Sequence, residues 1–130
     1  MNDYKDDLIS YRINRAYETL KEAEAMIEKS YWNAAVNRIY YSCYYAVSGL
    51  FLKNSINAKS HKGIRHLFGL NFVQTGIISR DFGKFFSDLF DKRHIGDYDD
   101  FITYNQDIVD DLIVKAKEFI DKIKELIYQD

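Results

Sequence analysis

Apolar residues recur every three or four positions along most of this chain, a spacing that is typical of amphipathic helices. The first such stripe predicts a helix over residues 4–29. The second predicts a helix over 32–53, and here apolar side chains occupy nearly the whole circumference. Because a helix of that kind is normally surrounded by others, we expect the second helix at the centre of the fold.

Three further helices are delimited by residues that favour helix ends. Ser and Asn side chains accept hydrogen bonds from first-turn amides, and Gly adopts the left-handed backbone that often follows a last turn. In chain order, the sequence predicts a third helix that starts at Ser60 and stops at Gly76, and a fourth helix that starts at Ser79 and stops at Gly96. A polar turn over 97–104 follows, and a fifth helix starts at Asn105. Five helices with short connections predict an all-α, five-helix, up-and-down antiparallel bundle. We expect one domain over 1–130, with its core at about 4–128.

Composition narrows the class of protein further. The 130 residues are 47% apolar and carry a net charge of −2, which excludes a disordered chain. The single cysteine, Cys43, lies in the apolar stripe of the second helix, which favours a buried, inert thiol. The N-terminal residues lack signal-peptide features, and no apolar run approaches the roughly 20 residues of a membrane span. We therefore expect a cytoplasmic protein with no membrane partner.

The charges are distributed unevenly along the chain. Residues 29–80 carry seven Lys and Arg but no Asp or Glu, whereas the segments on either side are acidic. A stretch without carboxylates provides no acidic catalyst and no hard-metal ligand of that type, and it favours the binding of an anion. The alternative is that the basic middle of the chain simply packs beside the acidic ends.

Within this stretch, basic side chains cluster where the third helix is predicted to begin. The cluster includes Lys59, His61, Lys62 and Arg65, and Ser60 is the expected N-cap. Free backbone amides and the helix dipole at a helix start would assist these side chains in binding a phosphate or nucleotide. The alternative is an ordinary N-cap followed by a solvated basic face.

A second candidate site, for ligand binding or catalysis, comprises Arg93, His94, Asp97 and Tyr98. Arg binds phosphate through its planar fork, and His or Tyr can exchange a proton with a ribose hydroxyl or a leaving oxygen. Such a group could cleave RNA without a metal. However, adjacent helical residues such as Arg93 and His94 point about 100° apart, and an Arg93–Asp97 ion pair is the alternative.

Arg38 is a further candidate ligand-binding residue, because it lies on the predominantly apolar second helix. A semi-buried Arg requires an anionic partner. We expect an Asp from the acidic C-terminal part of the chain, and an anionic ligand in a groove is the second choice. The histidines are scattered, so we expect no metal and no cofactor.

Several short motifs follow one another in a recognisable order. They are Arg38-Ile39-Tyr40-Tyr41, Tyr44-Tyr45-Ala46, Ser60-His61-Lys62-Gly63, Leu67-Phe68-Gly69, Phe72-Val73-Gln74-Thr75-Gly76, Leu89-Phe90 with Arg93, and Asp97-Tyr98-Asp99-Asp100-Phe101. This series, over about residues 10–125, resembles the HEPN superfamily, specifically a small prokaryotic branch often encoded beside, or joined to, a minimal nucleotidyltransferase. The resemblance implies a five-helix bundle, usually a homodimer, with a role in nucleotide binding. In several branches it also implies metal-independent RNA cleavage by toxins of toxin–antitoxin pairs or by phage-defence effectors.

The ribonuclease branches of that superfamily use an Arg that is followed, after four to six residues, by a His. After Arg93, the corresponding positions hold Tyr98, Asp99 and Asp100, so the resemblance transfers the arginine but not the histidine. We therefore predict a dimeric, non-catalytic HEPN protein that binds a nucleotide, an RNA phosphate or a nucleotidyltransferase partner through the basic loop and the turn after Arg93. The alternatives are a metal-independent ribonuclease toxin that uses Arg93 with Tyr98 or His94, and a purely structural partner subunit.

Overall fold

Every element of regular structure in the described part of the chain is a helix. The computed structural model describes residues 3–98 and 103–129, and of residues 94–98 it gives the backbone only. The helices are α1 (Asp3–Glu28), α2 (Trp32–Lys53), α3 (His61–Phe68), α4 (Arg80–Tyr98) and α5 (Gln106–Tyr128), and a π-helical turn (Gly69–Val73) continues α3. The predicted all-α bundle of five helices is confirmed.

Helix α2 lies at the centre of the bundle, where it packs against α1, α4 and α5. Its side chains are buried on several sides, and Val36, Ile39 and Leu50 are each at most 1% exposed. The central position predicted from its apolar circumference is confirmed. Cys43 is also fully buried, and burial raises the pKa of its thiol to about 12. The thiolate is therefore scarce near neutral pH, as expected for an inert cysteine.

The predicted helix starts are confirmed by side-chain hydrogen bonds. Ser60 Oγ accepts from the Gly63 amide at 2.9 Å, and Ser79 Oγ accepts from the first turn of α4 at 3.2 Å. Asn105 Oδ1 accepts from the Ile108 amide at 3.0 Å. Each of these bonds satisfies an amide that has no partner within its own helix.

The two predicted glycine stops behave differently. Gly76 follows the π-helical turn and has φ +80°, so it stands in the left-handed region that ends the third helical segment. Gly96 does not end α4, which continues to Tyr98. That prediction is wrong because a glycine ends a helix only where the backbone turns left-handed, and Gly96 stays helical. The predicted polar turn over 97–104 therefore begins later, and residues 99–102 lie outside the described ranges.

A phenylalanine stripe on α4 closes the core against α5. The ring centroids of Phe82, Phe85 and Phe86 lie 5.6–5.9 Å from that of Phe119, the spacing of packed aromatic rings.

Among the described helices, none is long and apolar enough to cross a lipid bilayer.

Candidate functional site

Three tyrosines of α2 form one wall of the candidate site. Tyr40 is fully buried, and Tyr41 and Tyr44 are half-buried beside it. The ring centroids of Tyr40 and Tyr41 are 5.2 Å apart, and those of Tyr41 and Tyr44 are 5.8 Å apart. Both pairs meet edge to face, the arrangement that aromatic rings prefer. We call these three residues the tyrosine cluster.

The first residue of α3, His61, packs onto the tyrosine cluster. Its ring centroid lies 4.6 Å from that of Tyr44 and 5.7 Å from that of Tyr41. The contact is fixed locally, because the Ser60 N-cap begins α3 directly before His61. The side chain therefore projects from a defined helical turn rather than from a loop.

A hydrogen bond of 2.8 Å joins Tyr40 Oη and His61 Nδ1. Burial raises the pKa of the Tyr40 hydroxyl, and the nearby Arg93 charge offsets part of that rise, so the phenol stays protonated. When the phenol donates to Nδ1, the imidazole proton lies on Nε2. When Nδ1 carries the proton and donates to Oη, Nε2 has a free lone pair. The Tyr40 hydroxyl is compatible with both tautomers.

Arg93 of α4 approaches the same tyrosines. Its guanidinium carbon lies 5.1 Å from the ring centroid of Tyr40 and 5.8 Å from that of Tyr41. Both distances are within the range of a cation–π contact. Arg93 and His61, which are far apart in sequence, are thus brought together on one surface. We call these two residues and the tyrosine cluster the Arg93–His61 site.

The electrostatics of this site keep its imidazole neutral. Burial and the positive charge of Arg93 both lower the pKa of His61 below its ordinary value of 6.5. At neutral pH the site therefore combines a permanent cation with an uncharged imidazole that can donate or accept one further hydrogen bond.

Arg38 is paired, but not with the partner predicted from the sequence. Its Nη1 lies 3.3 Å from Oε1 of Glu22 on α1, and its Nη2 donates to Asn37 Oδ1 at 2.9 Å. The predicted Asp from the C-terminal part is wrong, because the carboxylate that faces this position of α2 comes from the adjacent helix α1. The Arg38 guanidinium also lies 5.4 Å from the Tyr41 ring centroid, at the edge of the tyrosine cluster.

The other basic candidates lie outside the Arg93–His61 site. Arg65 donates to Asp91 at 2.9 Å and stacks 4.2 Å from the ring centroid of Phe90. A phosphate at Arg65 would therefore compete with a carboxylate. Lys59 and Lys62 are exposed and form no hydrogen bond or ion pair with any described residue.

The side chains of His94, Asp97 and Tyr98 lie outside the part of the chain that the structure describes. Their predicted roles, including the Arg93–Asp97 ion pair, remain predictions. Asp99 and Asp100, which stand where the ribonuclease motif would have its histidine, lie outside it as well.

The tyrosine cluster was not predicted as part of a site. From the sequence alone the three tyrosines are motif residues and part of the apolar circumference of α2, whereas the structure places all three against His61. The signal available in the sequence was the group of tyrosines that begins two residues after Arg38 in a predominantly apolar helix.

This arrangement has the groups needed to hold a phosphate diester. A guanidinium binds phosphate oxygens through paired N–H donors, an imidazole Nε2–H adds a third, and tyrosine rings are surfaces on which bases stack. Within the described residues, no three His, Cys, Asp or Glu side chains are grouped closely enough to hold a metal ion.

The amino-acid sequence was compared with models of protein families and with known proteins. Residues 9–126 match the model of the HEPN domain. The chain is 37% identical over 127 residues to a "UPF0332 protein" of Thermotoga maritima, covering 98% of this chain and 96% of that protein. It is also 30% identical over 115 residues to "Putative toxin MJ0605" (88% and 85% covered) and 29% identical over 115 residues to "Putative toxin MJ0142" (88% and 78% covered), both of Methanocaldococcus jannaschii. The chain belongs to the HEPN domain family.

Proposed function

We propose that the protein binds the phosphodiester backbone of RNA at the Arg93–His61 site. The observation that supports this most strongly is the convergence of Arg93 and His61 on the tyrosine cluster. Arg93 supplies a charge that is independent of pH, and neutral His61 donates from Nε2 in the tautomer in which Tyr40 donates to Nδ1. The half-buried rings of Tyr41 and Tyr44 offer stacking surfaces to the adjoining bases.

The test is the affinity for a short, labelled single-stranded RNA, measured by fluorescence anisotropy with EDTA present. Arg93→Ala is expected to weaken binding about tenfold or more, since a hydrogen bond to a charged group contributes about 1.5–3 kcal/mol. Arg80→Ala is the matched control, because Arg80 lies on the same helix, is exposed and forms no ion pair with a described residue. Equal affinities of the two variants would contradict the proposal.

A second function, metal-independent RNA cleavage, is favoured by the other tautomer of His61. When Nδ1–H donates to Tyr40 Oη, Nε2 can take the proton from a ribose 2′-hydroxyl. The 2′-oxygen then attacks the adjacent phosphorus, the bond from phosphorus to the 5′-oxygen breaks, and that oxygen takes a proton from water. The products are a 2′,3′-cyclic phosphate and a 5′-hydroxyl end. Arg93 would stabilise the charge that develops on the phosphate. The names of the two Methanocaldococcus jannaschii relatives are consistent with such a toxin activity.

Cleavage and binding can be separated with the same RNA. If the protein is a ribonuclease, wild-type protein in EDTA releases fragments that end in a 2′,3′-cyclic phosphate. His61→Gln is then expected to abolish cleavage while it changes affinity only a few-fold. Tyr40→Phe is expected to slow cleavage, because it removes the group that holds the imidazole in position. Intact RNA after incubation with wild-type protein would reject this function and leave the binding proposal standing.

Family membership also leads us to propose two protein partners, a second copy of this chain and a minimal nucleotidyltransferase. Apolar surface remains available for association, since Val114 is 59% exposed and Ile108 is 39% exposed on α5. Sedimentation equilibrium at micromolar concentration tests the homodimer, and a purely monomeric protein would remove it. Co-purification from the native host tests the nucleotidyltransferase, and its absence from the eluate would favour a protein that acts without that partner.

A further inference from the structure

Tyr44 faces a second concavity in addition to the Arg93–His61 site. A cavity of about 240 Å³ lies between α1, α2 and the loop that leads to α3. Polar side chains on its wall are Arg12, Tyr44, Ser48 and Asn57, and apolar residues such as Phe51 and Ile64 complete it. Because Tyr44 also packs on His61 at 4.6 Å, one ring is shared by the cavity and the site.

Arg12 is the feature that distinguishes this cavity. Its side chain is half-buried, yet it forms no ion pair or hydrogen bond with any residue that the structure describes. Three of the other half-buried arginines, Arg15, Arg38 and Arg65, each have a carboxylate oxygen within 3.3 Å. A half-buried arginine without a carboxylate partner can bind an anion through its guanidinium.

The wall of the cavity contains no carboxylate that would compete for that anion. Apart from Arg12, all the residues that line it come from 44–64, within the stretch of the chain that lacks Asp and Glu. Asn57, an exposed loop residue, adds an amide that can donate to an oxygen. The volume is below the 300–1,000 Å³ or so of sites for drug-sized ligands, so the cavity suits a group as small as a phosphate.

We propose that this cavity is a second phosphate subsite for the same RNA strand. Arg12 binds one backbone phosphate in it while another phosphate of the strand lies at the Arg93–His61 site, and Tyr44 stands between the two. This inference rests on the proposed RNA binding, and it adds the path of the strand over the protein surface, from α4 across α2 to α1.

Two substitutions test the subsite by different means. Arg12→Ala removes the cation, whereas Asn57→Asp keeps the size of an exposed side chain and adds a carboxylate to the wall of the cavity that Arg12 also lines. Arg80→Ala is again the control for the loss of one positive charge. The affinity of each full-length variant for the labelled single-stranded RNA is measured at several salt concentrations, and thermal unfolding confirms that each variant is folded.

We expect Arg12→Ala and Asn57→Asp each to weaken binding about fivefold to tenfold more than the control. In Arg12→Ala we also expect the plot of the logarithm of the RNA association constant against the logarithm of the salt concentration to become less steep by about 0.7. That is the value for the loss of one phosphate contact to a single strand. If both variants bind RNA as tightly as Arg80→Ala does while Arg93→Ala binds it weakly, the proposed subsite is wrong and the proposed function stands. If Arg93→Ala binds RNA normally and Arg12→Ala binds it weakly, the cavity binds RNA and the Arg93–His61 site does not.

Inorganic phosphate distinguishes a strand subsite from a site for a free anion. A chemical-shift titration of wild-type protein with phosphate is expected to leave the cavity residues unsaturated at millimolar concentrations, since one phosphate alone lacks the second contact that the strand provides. Saturation at micromolar phosphate, lost in Arg12→Ala, would replace the RNA subsite by a site for a small anion.

Discussion

The contact between Gly83 and Val73 yields the most closely defined prediction for this fold. Gly83 lies in the first turn of α4, next to the side chain of Val73 from the π-helical turn. A Cβ atom at position 83 would lie 2.7 Å from Val73 Cγ2 and 2.9 Å from Val73 Cγ1. Atoms do not approach so closely in folded proteins, and a β-branched side chain such as Val has few rotamers with which to move away. Gly83→Ala must therefore shift either the π-helical turn or α4.

Two opposing effects set the size of the change in stability. Ala has a higher helix propensity than Gly and would stabilise α4 by up to about 1 kcal/mol. A methyl group forced into close contact with packed side chains costs about 1–3 kcal/mol. We expect the overpacking to dominate, so that Gly83→Ala lowers the free energy of unfolding by about 1–2 kcal/mol. In a Val73→Ala background the overlapping methyl groups are gone, and the same substitution should be neutral or stabilising by up to about 1 kcal/mol.

Urea unfolding of the two single variants, the double variant and wild type gives the coupling energy directly. Gly49→Ala is the matched control, because a Cβ there would meet its nearest atoms at 3.5 Å, an ordinary van der Waals distance. That variant should be as stable as wild type or more stable. A Gly83→Ala protein that is no less stable than wild type, or one that Val73→Ala fails to rescue, would refute the reasoning.

Two further predictions concern buried polar groups. Burial and Arg93 lower the pKa of His61 in the native state, so below a pH of about 6.5 the unfolded chain binds more protons than the native protein does, and the protein should lose stability on acidification. Arg93→Gln should raise the pKa of His61, as followed by NMR titration of its ring protons, and should make that loss of stability smaller. An unchanged pKa would show that the arginine charge is too distant to matter. The hydroxyl of Thr19 is fully buried and has no hydrogen-bond partner among the described residues. The isosteric Thr19→Val should therefore raise the free energy of unfolding, measured by urea titration, by about 1 kcal/mol. A destabilised variant would show that the hydroxyl has a partner after all.

The fold could be predicted from the sequence because each of its determinants is local. The period of apolar residues defined the helices, and the caps at Ser60, Ser79 and Asn105 are each decided by a residue and the amides that follow within three positions. The one helix end that was predicted wrongly, at Gly96, depends on backbone geometry that glycine permits but does not require. The π-helical turn over Gly69–Val73 was not predicted.

The candidate site was harder to predict because it depends on pairings between helices. His61 and Arg93 were each identified from their residue types, but nothing in their spacing shows that α3 and α4 bring them to the same tyrosines of α2. The partner of Arg38 was predicted wrongly for the same reason, since Glu22 and the acidic residues of the C-terminal part are equally plausible carboxylates until the order of helices around α2 is known. Arg12 was not singled out at all, since one basic residue on an amphipathic helix carries no signal.

The placement of charge explains how a chain with a net charge of −2 could bind a polyanion on one side only. Four carboxylates and three lysines line the groove between α4 and α5, and Lys84 and Lys115 are themselves paired with Asp88 and Asp111. The cavity beside Tyr44, in contrast, has an arginine and no carboxylate. Because exposed charges more than about 10 Å apart are largely screened at 0.1 M salt, a strand responds to the local charge rather than to the total. The proposed binding should therefore weaken steeply with salt while remaining confined to the surface around α2 and α3.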